Sequence, residues 1–400
     1  MPLGFKFVWY SEISKFPSDV LSDHYPGTPN IGDMCNIPGM LEKQLIETPD
    51  VICGGTPCQA FSTSGHRKGL NDDRGNLTKK FVEIIDANDI VREELGKQKT
   101  IVFWENVVGV LSDKTNAFGI MISALAGLND VIECHRFGYA GLLKGPKRNI
   151  AWRVLDAKYF GLPQQRKRVY LVAGGNDWNP ENILFEKTSS MKHIEYPNTA
   201  LSFTKNGTNF EVFRKYTDCL EASYGTKWNG NAAAFNGSLY VAENRKLRRL
   251  TPEECEILMG FPKGYTNITN SRFSTRYRAI GNSWAIPVIR WIGSRMLSYD
   301  SLQDWSFPKS KTNGYQLEQF QKKYTIDPST TINCSDYPEN PSFGNLGDVV
   351  EKCEFNNLFI SSKASAGILR RATERGVKIN PRLKTYLDKT ALCVEENPYD

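Results

Sequence analysis

DVICGGTPCQAFSTSGHRKG, residues 50–69, decides the fold. A short apolar run ends in two glycines, and Pro57 stiffens the backbone just before Cys58. A run of this length bounded by glycine reads as a buried strand feeding a turn. Outward from it, FKFVWY (5–10), TIVFWEN (100–106) and RVYLVAGG (168–175) have the same character, rich in β-branched and aromatic residues. Such runs read as buried parallel strands. Between them, LTKKFVEIIDANDIVREEL places Leu77, Phe81, Ile84, Ile85, Val91 and Leu95 at helical spacing. The alternation predicts an α/β domain built on a doubly wound, mostly parallel sheet. Ligands of such sheets sit beyond the carboxyl ends of the strands. VICGGTPC and IVFWENV both run from a strand into a polar turn there.

The 400 residues exceed one average domain, and 40% hydrophobic with 24% charged residues is an ordinary globular composition. No apolar run approaches the roughly 20 residues of a membrane helix. The start, MPLGFKFVWYSE, lacks the long apolar stretch of a signal peptide. Nine cysteines, odd in number and without a CxxC pair, fit reduced thiols in a cytoplasm; with four scattered histidines, no metal site is expected. A net charge of +6 permits a polyanionic partner without demanding one.

The texture of the chain suggests four segments. Residues 1–175 alternate strands and helices. Residues 176–245, with SFTKNGTNFEVFRKY and EASYGTKWNGNAAAFNG, read as a smaller loop-rich module. Regular structure resumes over 246–298, where TPEECEILMGFP carries a capping box of Thr251 and Glu254 with Pro252 in the first turn. GNSWAIPVIRWIGSRML (281–297) reads as an apolar helix opened by Gly281-Asn282-Ser283. Residues 299–400 form an extension, turn-rich and irregular to about 355, ending in a basic helix over 361–375 stopped by Gly376.

Four places could carry chemistry. Cys58, at the mouth of a cleft with His66, Arg67 and Lys68 close behind, is either a buried thiol or an activated nucleophile. Glu105 ends an apolar strand, where a carboxyl group is either a plain strand-end carboxylate or a proton donor with a raised pKa. Gln164, Arg166 and Arg168 alternate ahead of a strand, so the two guanidiniums suit a phosphate or a base carbonyl, or else form a solvated edge. Gly281-Asn282-Ser283 could offer helix N–H groups to a polar ligand, or be a plain cap.

Taken in order, these segments resemble the DNA (cytosine-5)-methyltransferase family of bacterial and phage type. The family's Pro-Cys segment appears as GGTPCQAFS, its Glu-Asn-Val segment as ENV (105–107), its Gln-x-Arg-x-Arg segment as QQRKR (164–168) and its Gly-Asn segment as AIGNSWAIP (279–287). The resemblance covers about 1–298. It implies a Rossmann-like methyltransferase fold with a target-recognition module at 176–245, S-adenosyl-L-methionine as methyl donor, and double-stranded DNA as partner. Cys58 would attack cytosine C6, Glu105 would hold N3 and the exocyclic amine, Arg168 would bind the base carbonyl, and Arg166 would brace site and backbone. The target base would be flipped out of the duplex, with 61–69 closing over it. Gln59, Ser62, Arg67, Lys68 and Gln164 are the expected DNA contacts. Glu12 would bridge the cofactor ribose, Asp33 and Met34 the adenine edge, and Pro57, Leu77, Asn282, Ser283 and Trp284 would line the rest. A monomer acting in a bacterial or phage-infected cytoplasm is implied, within a restriction-modification setting.

The family also opens with a strand and a Phe-x-Gly-x-Gly loop around the methionine part of the cofactor, which this chain lacks. Met1 falls where the following helix belongs. An incomplete start is the favoured account; a degenerate relative, or a second chain supplying the piece, are the alternatives. Rival functions are a non-catalytic DNA-binding relative and an RNA-directed member of the same chemistry.

Overall fold

A computed structural model describes residues 3–56, 73–189, 194–225, 232–302, 307 and 314–392. In chain order, the first half holds α1 (Lys15–His24), α2 (Ile37–Glu42), β1 (Val51–Gly54), α3 (Asp73–Glu94), β2 (Ile101–Val107), α4 (Ala117–Ala126), β3 (Ala140–Lys144), β4 (Arg148–Asp156), β5 (Lys167–Gly175), α5 (Glu181–Leu184) and β6 (Glu186–Thr188). The second holds β7 (Leu201–Lys205), β8 (Thr208–Val212), α6 (Ala232–Asn236), β9 (Tyr240–Glu243), β10 (Lys246–Arg249), α7 (Pro252–Leu258), α8 (Phe273–Asn282), α9 (Ile286–Leu297), β11 (Gln316–Phe320), β12 (Lys323–Asp327), β13 (Thr330–Asn333), α10 (Leu346–Val349), α11 (Ser362–Glu374) and α12 (Pro381–Leu392). Two compact units emerge. The first comprises Met1–Asp156, Lys167–Lys192 and Val288–Asn340; the second Ala157–Arg166, His193–Pro287 and Pro341–Asp400. These units cut the chain at other points than the four expected segments.

The first unit is α/β, with a six-stranded sheet in the order β1-β2-β5-β4-β3-β11. The sheet is mixed. β1 and β2 are parallel, whereas β5, expected parallel, runs antiparallel to both β2 and β4. The physical reason is the connection: β4 and β5 are joined by 157–166, without an α-helix and shorter than the dozen or more residues a parallel crossover needs, so β5 turns back against β4, just as β3 and β4 form a hairpin across Gly145-Pro146-Lys147. FKFVWY, expected as a strand, makes a single bridge, Tyr10 with Asn30, because no strand among the described residues lies alongside it. The extension, expected to be irregular, contributes β11 to the main sheet and the hairpin β12–β13, which pairs with β6.

The core of this unit packs Phe81, Ile84 and Ile85 of α3 and Phe118 and Met121 of α4 against Ile52, Trp104, Trp152 and Leu171 of the sheet. Phe118 meets Phe137 and Trp152 edge to face, with centroids 5.0 and 5.5 Å apart. The helix face that looks toward the strand starts is polar and meets the ends of the preceding loops. Asn88 donates to Pro49 O (3.0 Å) and Thr100 Oγ1 (2.7 Å). Arg92 donates to Gln98 O (2.8 Å) and Pro49 O (3.1 Å), and Asp89 takes the Thr100 N–H (2.9 Å) and pairs with Arg148. The carbonyls of Pro49 and Gln98, just ahead of β1 and β2, are thereby satisfied, which ties down the amino ends of both strands.

The second unit holds an antiparallel sheet, β10-β9-β8-β7. Two two-residue turns with positive φ at both positions close its hairpins: Asn206-Gly207 (49° and 74°) and Asn244-Arg245 (45° and 68°). The expected capping box is present, with Thr251 Oγ1 accepting from Glu254 N (3.1 Å) and Glu254 accepting from Thr251 N (2.8 Å). Glu254 also pairs with Arg248 (2.9 Å), which holds Glu243 at 2.6 Å as well, all three buried. Gly281-Asn282-Ser283, expected to open a helix, instead close α8; the next helix starts at Ile286. Pro287, with no N–H to give, fits the first turn of that new helix and not the interior of a continuous one. α11 ends as expected, with Gly376 at φ +61° after Arg375.

Candidate active site

In the first unit the carboxyl ends of β1 and β2 face the amino end of β5, because β5 runs the other way. Val107 pairs with Arg168 and Glu105 with Tyr170. Glu105 and Arg168 are therefore diagonal neighbours on one face of the sheet. Their side chains form an ion pair, Arg168 Nε to Glu105 Oε1, 3.3 Å, with 15% and 10% of the side-chain surfaces exposed. Arg168 also donates to Lys167 O (2.8 Å).

Two residues beyond β1, Thr56 meets the opposite face of β2, that of Trp104 and Asn106. Its buried hydroxyl oxygen accepts from Trp104 Nε1 (3.2 Å), Thr78 Oγ1 (3.2 Å) and Asn106 Nδ2 (3.3 Å), and Asn106 Nδ2 also reaches Thr56 O (3.3 Å). Asn106, the middle of Glu-Asn-Val, thus ties the chain two residues before Cys58 to the strand that carries Glu105. Neither Thr56 nor Asn106 was singled out by the sequence reading. Pro57, Cys58, Gln59, Ser62, Arg67 and Lys68, and the expected closing loop 61–69, lie outside the described residues.

Two buried thiols, Cys255 and Cys334, are poor candidates for nucleophile. Burial pushes Cys255 well up, and Cys334 up to about 12, which makes both packing groups.

The expected cofactor residues of the first unit fall in one loop cluster. Tyr10 O accepts from Ile31 N (2.7 Å), and Ser11 Oγ donates to Gly32 O (2.6 Å), so Glu12 and Asp33-Met34 are drawn together. Glu12 N donates to Asn30 Oδ1 (3.1 Å), and Glu12 Oε1 accepts from Ser14 N (2.7 Å). Asp33 is exposed, and the Cys35 N–H that it accepts (2.9 Å) holds its carboxyl below the usual carboxylate range. Met34 packs on the main core, and Leu77 is half-buried on α3.

The remaining residues belong to the second unit. Arg166 is 2% exposed and donates to three backbone carbonyls, Leu220 O (3.0 Å), Gly281 O (3.1 Å) and Ser283 O (2.8 Å). Gln164, expected at the DNA, is fully buried; its amide donates to Leu258 O (2.9 Å) and accepts from Leu220 N (2.9 Å). The alternation of QQRKR is thus divided: Gln164 and Arg166 brace the second unit, while Arg168 meets Glu105 in the first. Asn282 is exposed, Ser283 Oγ donates to Ile280 O (2.6 Å), and Trp284 is half-buried. Gly281 is required by close approach, since a Cβ there would lie 2.4 Å from Ala222 N and 2.6 Å from Glu221 C.

Comparison with known proteins decides the family, because the pattern of C-5 cytosine-specific DNA methylases matches residues 2–234 and 203–298. The chain belongs to the C-5 cytosine-specific DNA methylase family. Among its relatives, a protein of Escherichia phage P1 named DNA N-6-adenine-methyltransferase is 31% identical over 442 residues, covering 74% of this chain; this chain spans 58% of that protein's length. Type II methyltransferase M.HhaI of Haemophilus parahaemolyticus is 27% identical over 319 residues, 72% of this chain and 86% of that one. Type II methyltransferase M.DsaV of Dactylococcopsis salina is 27% identical over 352 residues, 80% and 88%. ENV (105–107) and QQRKR (164–168) supply the two halves of the Glu105–Arg168 pair in this chain. No helix among the described residues is long and apolar enough to cross a membrane.

Proposed function

We propose that this chain transfers a methyl group from S-adenosyl-L-methionine to C5 of cytosine in double-stranded DNA. The observation that carries the reading is the Glu105–Arg168 ion pair at the carboxyl end of β2, joined through Asn106 and Thr56 to the chain that leads into Cys58.

Cytosine C5 is a weak nucleophile. A Cys58 thiolate adding to C6 pushes ring electrons toward C5 and makes it enamine-like. Glu105 would accept from the exocyclic amine and share a proton with N3, easing the charge that builds on the ring. Arg168 would donate to the base carbonyl. The base would enter between partners that neutralise each other at rest, and its own polar edge would replace their mutual contact. After C5 has gained its methyl group, loss of the C5 proton to a base returns electrons to the ring, and the thiolate leaves C6. A base stacked in a duplex cannot reach these groups, so the target must be extruded.

S-adenosyl-L-methionine supplies an electrophilic methyl group. The residues present fit it: Glu12 has a carboxylate for a ribose diol, Asp33 an exposed anion for an exocyclic amine, and Met34 an apolar shelf. Arg166 acts as a brace, holding the segment 281–283 by its carbonyls.

A second reading, methylation of adenine N6, is suggested by the name of the phage P1 relative. An exocyclic amine needs no covalent activation of the ring, so that reading leaves Cys58 and the Glu105–Arg168 pair without work. The test is methyl incorporation from labelled donor into duplex DNA, single-stranded DNA and tRNA, followed by nucleoside analysis. The proposal expects 5-methylcytosine from duplex DNA. N6-methyladenine, methylated tRNA alone, or no transfer with intact cofactor binding would contradict it.

A further inference from the structure

The chain's positive charge is concentrated in one small element. Residues 361–392, the helical hairpin α11–α12 with its turn, hold eight Lys and Arg against two acids, a net +6 that equals the formal charge of all 400 residues. The eight residues that follow bring three acids, Glu395, Glu396 and Asp400, outside the described residues.

The hairpin is firmly seated within its own unit. Ile368 and Ala372 of α11 and Leu383 and Leu387 of α12 are buried with Phe213, Tyr240, Ala242 and Leu247 of the β7–β10 unit. Ser361 Oγ caps α11 at Ala364 N (3.2 Å), and Asn380 Oδ1 caps α12 at Arg382 N (3.0 Å). Glu211 of β8 accepts from Tyr386 Oη (2.9 Å) and pairs with Arg382 (3.1 Å). With one face spent on packing, most of the cations lie on the outer surface of the hairpin. Lys363, Arg370, Arg375, Lys378, Lys384 and Lys389 are all exposed. Two acids temper them, Glu374 beside Arg370 (3.6 Å) and Asp388 beside Lys384 (2.7 Å), in exposed pairs that are weak and screened by salt. Lys363 and Arg370 are two helical turns apart on one face, about 10 Å. That is about three times the axial rise per phosphate of one DNA strand. Lys378 and Lys384 flank a groove of about 520 Å³ at the turn.

We infer that the α11–α12 hairpin is a backbone clamp for duplex DNA: its cations engage phosphates without reading sequence and hold the substrate on the unit that carries 193–287. The inference rests on the DNA reading above. It requires affinity to be shared between this sequence-independent clamp and the target-reading residues.

The test is the salt dependence of binding of a 30-mer duplex to the full chain, by fluorescence anisotropy in 50–200 mM NaCl. The comparison is with a triple variant, Lys363→Gln, Arg370→Gln, Lys378→Gln. Each lost phosphate contact lowers the slope of log K against log salt by about 0.9. The variant should lose about 2–3 from that slope, show a higher KM for DNA, and keep kcat at saturating DNA and the wild-type melting temperature. An unchanged slope in a variant of unchanged melting temperature overturns the clamp. So does an effect confined to phosphatidylserine vesicles or single-stranded RNA. A reduced slope with no methyl transfer to any duplex leaves the clamp standing and sinks the methyltransferase reading; an unchanged slope with intact transfer does the reverse.

Discussion

Thr56→Val keeps the shape of the side chain and removes the hydroxyl that three donors share. Trp104, 1% exposed, then has an indole N–H facing a methyl group 3.2 Å away where an acceptor had been. Thr78 can rotate its hydroxyl and Asn106 keeps Thr56 O, so their losses are smaller. Stranding one buried donor costs about 1–3 kcal/mol, and the weakened neighbours bring the total to about 2–3 kcal/mol. For a unit of this size, that lowers the melting temperature by roughly 4–9 °C. The larger effect should be on turnover, because Thr56 is the last described residue before Cys58. An ångström of misplacement at a reacting group costs about 100-fold, so kcat should fall by about 10–100-fold with KM for DNA changed less. Thermal denaturation and methyl incorporation at saturating DNA read the two effects, and Thr56→Ser should restore both. A Thr56→Val variant with wild-type melting and kcat within twofold would refute the anchoring role.

Three further outcomes are expected. Glu105→Gln should cut kcat by about 10²–10³-fold, as expected when a preorganised group facing developing charge is lost; single-turnover methylation checks it, and near-normal rates would remove Glu105 from the chemistry. Gly281→Ala drives a Cβ into the backbone at Glu221-Ala222 and should cost about 1–3 kcal/mol, read by calorimetry as an earlier transition of the second unit; no shift would mean that α8 can move aside. Tyr386 is pushed up to about 12 by burial and by its bond to Glu211, against 10.0 unfolded. Its neutral form therefore stabilises the fold fully below pH 10, and that stability is lost as pH rises from 10 through 12; Tyr386→Phe should be less stable at pH 8 and lose less stability over that alkaline range.

Local signals in the sequence were legible where they rest on neighbours in the chain. The Thr251–Glu254 capping box and the Ser361 start of α11 involve residues three apart, and each appears in the structure. The strand that carries Glu105 was legible from its apolar run, though it continues to Val107. Other local signals lie in the chain as well: Asn206-Gly207 marks a hairpin turn, Asn380-Pro381 a helix start, and KYTID and TTIN a pair of strands. Strand direction was not legible, since an apolar run has the same period whichever way it is laid, and β5 runs opposite to expectation. The Thr56 anchor was not legible either. Its donors lie 22, 48 and 50 positions away, so no window of sequence contains them. Alternation predicts one rank for Gln164, Arg166 and Arg168, but the strand starts only at Lys167, and the first two are consumed by carbonyls and an N–H of the second unit while Arg168 meets Glu105.

The central claim is that Cys58 activates cytosine for methylation at C5. Bisulfite sequencing of host DNA, with nucleoside analysis of the same DNA, after expression of the wild-type chain and of Cys58→Ser tests it most directly. The account predicts 5-methylcytosine at a recurring duplex sequence with the wild type and none with Cys58→Ser. Methylation that survives the substitution, or a mark found on adenine, would contradict it.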